Sequence, residues 1–158
     1  MAIKSTLTLR AITSENWTEA LALTVFPAQQ RFVAGYVPIA AIALAKAYVR
    51  LGGVEWAPRA IYAGETMVGM LALAFEPGSA EEYWLFHFFI DQRHQGRGYG
   101  ASAAAAYIQW VRESHPACQA LRLVVHPENT RAQRLYTRAG FQPTGERRWG
   151  EPVYRLAL

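Results

Sequence analysis

The 158-residue chain contains a single cysteine, Cys118. A disulfide framework and a thiolate zinc centre both need more than one, so neither is available to it. Charged residues make up only 18% of the chain, against roughly a quarter in an ordinary soluble protein. With 52% hydrophobic residues, that composition excludes a disordered polyelectrolyte. No uninterrupted apolar run approaches the ~20 residues of a membrane-crossing helix. The longest, in the Ile39–Tyr48 region, is alanine-rich and broken by Lys46. Met1–Thr6 carries no apolar signal core. Repeats and low-complexity segments are missing too, apart from the alanine-rich Ala101–Ala106. The expectation is a cytoplasmic protein forming one domain over residues 1–158, with no metal and no membrane partner.

What is present is an uneven charge. The net charge is +4, but residues 1–92 hold 6 basic and 8 acidic side chains, whereas residues 93–158 hold 10 basic and 4 acidic. A basic half suits nucleic acid, a membrane surface or an anionic ligand, or is simply a solvated surface.

The periodicities predict a mixed α/β chain in the order βααβββαβαββ. Leu7–Ile12 reads as a strand. A helix from Trp17 to about Phe26 is interrupted at Pro27, and a second runs from Ile39 to Leu51, stopped by Gly52-Gly53. Arg59–Ala63 and Met67–Phe75 form a hairpin across Gly64-Glu65-Thr66. Glu81–Ile90 is aromatic on both faces and therefore central in its sheet. A helix from Tyr99 to Glu113, a strand Leu121–Val125 and a helix from Asn129 or Thr130 to Ala139 follow. Phe141–Arg148 and Val153–Leu158 close the chain.

The most informative stretch joins the aromatic strand to the next helix: Arg93-His94-Gln95-Gly96-Arg97-Gly98-Tyr99-Gly100-Ala101. Glycines let a backbone approach an anion closely and turn its N–H groups inward. A helix start adds unpaired N–H groups and a positive dipole end. The expected ligand is a phosphate or pyrophosphate. A P-loop would need Gly-Lys followed by Ser or Thr, which is absent. Gly96, Gly98 and Ala101 fit the dinucleotide fingerprint formally. Ala117–Arg122, where the ribose-binding acid belongs, has no acidic residue.

Two signatures here resemble the GNAT superfamily of N-acetyltransferases. Gln95, Gly98 and Gly100 meet its Gln/Arg-x-x-Gly-x-Gly/Ala phosphate motif. Asn129, Ala132, Leu135-Tyr136 and Gly140-Phe141 meet a second, one helix and one strand later. Phe32-Val33-Ala34, Ala45–Val49, Tyr83-Trp84-Leu85, Phe88–Asp91 and the Gly-Glu pairs at 145–146 and 150–151 are similar to the bacterial spermine/spermidine (diamine) acetyltransferase branch. The chain departs from that branch at His87 and at Gly35-Tyr36.

The resemblance implies a mixed, mostly antiparallel twisted sheet of about seven strands. It also implies a central parallel pair, Tyr83–Ile90 and Leu121–His126, that splays apart, and about four flanking helices. It implies acetyl-CoA as cosubstrate, its pantetheine paired with the backbone of Phe88 and Ile90. Its pyrophosphate would rest on the amides of Gln95, Gly96, Arg97, Gly98, Tyr99, Gly100 and Ala101, and Asn129 would bond the pantetheine. A backbone N–H near Phe89–Ile90 would stabilise the oxyanion. Tyr136 follows Asn129 by seven positions, two helical turns, so both share a face. A phenol with pKa near 10 can return a proton to a departing thiolate, which makes Tyr136 the candidate general acid. Glu81, Glu82 and His87 are candidate bases for the attacking amine.

The reading is an N-acetyltransferase acting by direct attack in a ternary complex on the primary amine of a small molecule, a polyamine or diamine first. An antibiotic or protein N-terminal amine is the alternative within enzymes. A non-catalytic CoA-binding module is the alternative outside them. Nucleic acid is not an expected partner, since the basic residues gather around the glycine loop and one helix instead of alternating with exposed aromatics. A homodimer is compatible with the aromatic content.

Overall fold

The computed structural model describes residues 6–76 and 82–158. Its strands are β1 (Leu7–Ala11), β2 (Glu55–Ala63), β3 (Thr66–Phe75), β4 (Glu82–Ile90), β5 (Ala120–Val124), β6 (Gln142–Arg148) and β7 (Glu151–Ala157). They form one seven-stranded sheet in the order β1-β2-β3-β4-β5-β7-β6. Every neighbouring pair is antiparallel except β4 with β5. The helices among the described residues are α1 (Trp17–Ala22), α2 (Gln30–Val33), α3 (Ile39–Val49), α4 (Tyr99–Ser114) and α5 (Thr130–Ala139). The mixed sheet and its parallel pair are as expected, with one more helix than foreseen, the single turn α2.

Local chemistry explains most boundaries. The β6–β7 turn places Trp149 and Gly150 at φ 51° and 79°, the consecutive positive values that a tight hairpin favours. Asn129 caps α5 by accepting from the Ala132 amide at 3.2 Å, and Gly140 closes that helix at φ 105°. Several boundaries differ from the expectation, among them those of α1, α3 and β2. Helix α1 ends at Ala22 and not at Phe26, because the following segment is drawn into tertiary pairing. The Thr24 amide donates to Asp91 Oδ2 at 2.9 Å, and the Gln92 amide donates to the Thr24 carbonyl at 2.8 Å. Helix α3 stops at Val49, before the glycine pair, with Arg50 in the left-handed region. Strand β2 begins at Glu55 and not at Arg59, running through Pro58. Pro58 is paired with Ala72 of β3, while the β1 pairing ends one residue later, at Arg59. The expected start of β4 at Glu81 lies outside the described residues.

Strand β4 carries the feature that organises the molecule. Met70 pairs with Phe89 and Ala72 with Phe86, so Leu71 alone opposes His87 and Phe88. This is a bulge, and His87 adopts φ 50° within it. The extra residue shifts the side-chain alternation. Tyr83 and Leu85 before the bulge, and Phe88 and Ile90 after it, belong to one core with Tyr107, Val111, Leu121 and Tyr136 on the α4–α5 face. Phe89 packs into the other core, with Ala20, Leu23, Ile39 and Ala43 on the α1–α3 face.

Candidate active site

The parallel pairing of β4 with β5 covers only Glu82–Ala120, Tyr83–Leu121 and Trp84–Arg122. Beyond Trp84 the two strands part, and residues 85–90 run without a β5 partner. A cleft therefore opens toward the C-terminal ends of both strands, where the glycine loop and the start of α5 lie.

The loop is built to present amides. Gly96 and Gly98 sit at φ 80° and 77° with open space where a Cβ would be. They are there for conformation and not for packing. Gly98 caps α4, whose first hydrogen bond is Ser102 N–H to the Gly98 carbonyl at 3.3 Å. The amides of Tyr99, Gly100 and Ala101 are thus the unpaired donors of a 16-residue helix. Gly100 serves differently: a Cβ there would lie 2.8 Å from Leu135 Cδ1, so its absence lets α4 and α5 approach.

The loop is anchored from below. Gln95 Nε2 donates to the Ile90 carbonyl at 3.0 Å and to Gln29 Oε1 at 2.9 Å, and Gln29 Nε2 donates back to Gln95 Oε1 at 3.0 Å. The Gln95 side chain thus holds the loop, leaving its backbone for a ligand. Asp91 is wholly buried and accepts from the amides of Thr24 and Arg93 and from Arg93 Nε at 2.7 Å. Burial pushes its carboxyl up, but Arg93 and the two amides more than offset this and hold it below the usual value. Asp91 and Gln29 were not singled out from the sequence. An acidic residue directly after a buried strand was the available signal.

On the α4–α5 face, the Tyr136 ring lies 6.2 Å from that of Phe88 and 5.7 Å from that of Phe141. Burial pushes its phenol up, so it stays protonated. Asn129, two turns earlier, uses Oδ1 as the helix cap. The structure thus joins Phe88 to Tyr136, Gln95 to the Ile90 carbonyl, and the loop at Gly100 to Leu135 of α5.

The base candidates do not converge with them. Glu82 is held by Arg122 and by Arg155 Nε at 3.0 Å. It sits six residues from Phe88, about 20 Å along the strand. Glu81 lies outside the described residues. His87 is on the opposite face from Tyr136, at the bulge. Its Nδ1 bonds the Val33 carbonyl at 2.9 Å and its Nε2 faces Lys46 Nζ at 2.9 Å. A carbonyl can only accept, so Nδ1 carries the proton and Nε2 accepts from Lys46. Burial, then the Lys46 charge, pushes the His87 imidazole down to about 4, against a smaller upward pull from Val33. Burial also lowers Lys46. Lys46 Nζ stands 4.9 Å from the centre of the Trp56 ring and 5.9 Å from that of Phe86. Phe86 in turn contacts Trp84 and Trp149, which form an aromatic shelf.

A splayed parallel pair, a bulge in its first strand and an amide-rich turn at its mouth make a recognisable combination. Residues 43–141 match the model of the acetyltransferase (GNAT) family, and the chain belongs to that family. It is 39% identical over 83 residues to the spermine/spermidine N(1)-acetyltransferase of Bacillus subtilis (strain 168), a match covering 52% of this chain and 54% of that protein. The chain thus spans about half the length of the curated relatives it matches. Among solved structures, the spermidine N-acetyltransferase of Vibrio cholerae, in complex with CoA and spermine, superposes with a TM-score of 0.73 at 17% identity, covering 98% of this chain and 96% of that one. An aminoglycoside acetyltransferase in complex with coenzyme A gives 0.75 at 17% identity, covering 96% and 94%. At such identities the likeness is one of fold. Among the described residues no helix is long and apolar enough to cross a membrane, and no cluster of three or more metal-ligating side chains occurs.

Proposed function

We propose that the protein transfers an acetyl group from acetyl-CoA to the primary amine of a small molecule, by direct attack in a ternary complex. The observation that carries this reading is the cleft itself. The unpartnered length of β4, the free amides at the start of α4 and the Tyr136 ring against Phe88 meet on one face of the sheet.

The roles follow from the positions. Residues 96–101 offer N–H groups to the pyrophosphate, and Arg97 adds charge at its rim. The exposed edge of β4 at Phe88 and Ile90 takes the pantetheine as an added strand. Their side chains are core, so only backbone does the binding. Asn129 has its side-chain N–H groups left for the same arm once Oδ1 caps α5. The thioester supplies an activated acetyl group, and a β4 amide near Phe89–Ile90 stabilises the charge that develops on its carbonyl oxygen. Tyr136, kept neutral by its surroundings, holds the proton that the CoA sulfur needs on departure. The sulfur leaves within the same apolar wall, which disfavours the thiolate and assists the transfer.

The attacking amine reaches the thioester from the α1–α3 face, through the gap where β4 and β5 part. His87 does not suit the role of base, since its Nε2 already accepts from Lys46 and its basicity is far below that of an amine. Glu82 is engaged in ion pairs. Proton loss to water is the route left by the described residues. Polyamines and diamines are the acceptors to try first, because the curated relatives carry that name.

The test is to incubate the protein with acetyl-CoA and a panel of amines, spermidine and simple diamines included, and to follow thiol release. Release that depends on an amine supports the reading. CoA binding with no release for any amine would replace it with a non-catalytic binding module.

A further inference from the structure

The α1–α3 face of β4 bears an aromatic slot that already contains a cation. Trp56 from β2 and Phe86 from β4 are in contact at 5.1 Å between ring centres. Lys46 Nζ stands over both rings and is fixed by its hydrogen bond to His87, the bulge residue. His87 is itself fixed by the Val33 carbonyl. Such rings attract an ammonium ion through their quadrupoles. A side chain tethered beside them holds the position against a free amine, because its effective concentration is far higher. The slot thus adjoins the bulge at His87, two residues before the Phe89–Ile90 amide proposed above to face the acetyl carbonyl.

We infer that Lys46 sets the charge spacing of the acceptor: it fills the cation slot next to the reacting position, so an acceptor's second ammonium must lie farther off. This rests on the acetyltransferase reading above. The reacting nitrogen has to be neutral to attack, so the Lys46 charge does not oppose the reactive form. A second nitrogen stays protonated at neutral pH and meets a like charge unless the chain between the two nitrogens is long. The shelf of Trp84, Phe86 and Trp149 offers the apolar surface for that chain, and the Arg148 guanidinium, 4.5 Å from both tryptophan rings, is a second like charge that the distant ammonium must also clear. Closely spaced charges are therefore disfavoured, so short diamines are poorer acceptors than long ones, and in spermidine the end with the four-carbon spacer is favoured over the end with the three-carbon spacer.

The experiment compares kcat/KM for propylamine, 1,3-diaminopropane and 1,8-diaminooctane in the unmodified protein, Lys46→Gln and Lys46→Arg. Substituting the charge is expected to raise the ratio of 1,3-diaminopropane to propylamine about tenfold, the order expected for two charges several ångströms apart near a protein surface. The ratio for 1,8-diaminooctane should change less than threefold. Lys46→Arg, which keeps the charge, should preserve the original ratios. Ratios are used because they cancel any general loss of activity from altered packing. Equal ratios in Lys46→Gln and the unmodified protein would overturn the inference while leaving acetyl transfer intact. If the unmodified protein acetylates none of these amines or spermidine, the functional reading itself fails. Should Lys46→Gln unfold, Lys46→Met, which retains the apolar stem over Trp56, takes its place with the same two outcomes.

Discussion

The two faces of β4 are built from different materials. On the α4–α5 face the cleft is lined by backbone: the free edge of the strand, the glycine-loop amides and the first turn of α4. Among the described residues, Tyr136, Asn129 and, at the rim, Arg97 are the side chains with chemistry on the proposed reading. On the α1–α3 face the lining is side chains brought from far apart in sequence, namely Val33 through its carbonyl, Lys46, Trp56, Phe86, His87 and Trp149. On the proposed reading, the backbone side takes acetyl-CoA, common to every turnover, and the side-chain side distinguishes among amines. The bulge at His87 separates the two by moving Phe88 to the first face while leaving His87 on the second.

The largest expected effect tests the one reactive side chain on the cofactor face. Tyr136→Phe keeps the ring against Phe88 and removes the proton. Loss of a general acid slows chemistry by roughly 10²–10⁴-fold. The turnover number should fall by at least a hundredfold, while acetyl-CoA binding, measured by calorimetry, stays within about threefold. Unchanged turnover would reduce Tyr136 to packing and leave that face purely backbone in character.

The next breaks the geometry that separates the faces. Gly69 on β3 opposes Ile90, and a Cβ there would lie 2.3 Å from the Phe89 carbonyl oxygen and 3.1 Å from Ile90 Cα. Those are backbone atoms and cannot rotate away. Gly69→Ala should destabilise the fold by about 3 kcal/mol, at the upper end of overpacking. It should also lower activity at temperatures where the variant is still folded, since it moves β4 at the acyl position. A urea midpoint identical to that of the unmodified protein would show that β3 and β4 yield more readily than their register suggests.

A third concerns the acceptor face through pH. The His87 imidazole is depressed in the folded state to about 4, below the unperturbed value near 6.5. Between those values the unfolded chain takes a proton that the folded chain refuses, so stability falls as pH falls from about 6.5 to about 4. The loss from this one group is at most about 3 kcal/mol. Asp91, also held low, contributes its own loss only below the ordinary carboxylate range. His87→Asn keeps a donor for the Val33 carbonyl and tolerates the left-handed backbone of the bulge. Denaturation midpoints at pH 7 and pH 4.5 should converge much more in that variant than in the unmodified protein. An equal acid loss in both would mean that His87 titrates normally and that the face is wetter than its packing indicates.

The same contrast explains what could be read from the chain. The glycine loop, the Asn129 cap, Tyr136 two turns on and Gly140 are local spacings, so the cofactor side was legible in a few dozen consecutive residues. The order of elements along the chain followed from periodicity, and the parallel central pair from the family those spacings resemble. Lys46 read as an interruption in an apolar helix and as part of the Ala45–Val49 resemblance, and nothing local marked Trp56, because their meaning depends on meeting His87 and Phe86 across the fold. The bulge left no mark in the aromatic run from Tyr83 to Ile90, where every residue suits a strand. Helix α1 was drawn too long for a related reason. The residues after Ala22 have no objection to a helix, but Asp91, nearly seventy positions later, claims the Thr24 amide.

The smallest effect is expected where a glycine meets side chain and not backbone. Gly100 carries no positive φ, and its missing Cβ would approach only Leu135 Cδ1, at 2.8 Å. A leucine methyl at the end of two rotatable bonds can shift by a few tenths of an ångström, and alanine is the better helix former by about 1 kcal/mol. The two terms nearly cancel, so Gly100→Ala should change stability by less than about 1 kcal/mol in either direction. The amide of residue 100 remains in place, so acetyl-CoA affinity should also stay within about threefold. A loss of affinity above tenfold with unchanged stability would mean that the pyrophosphate lies against Cα of Gly100 itself. The glycine would then be required by the ligand and not by the α4–α5 contact, and the cofactor face would depend on an absent side chain as well as on its backbone donors.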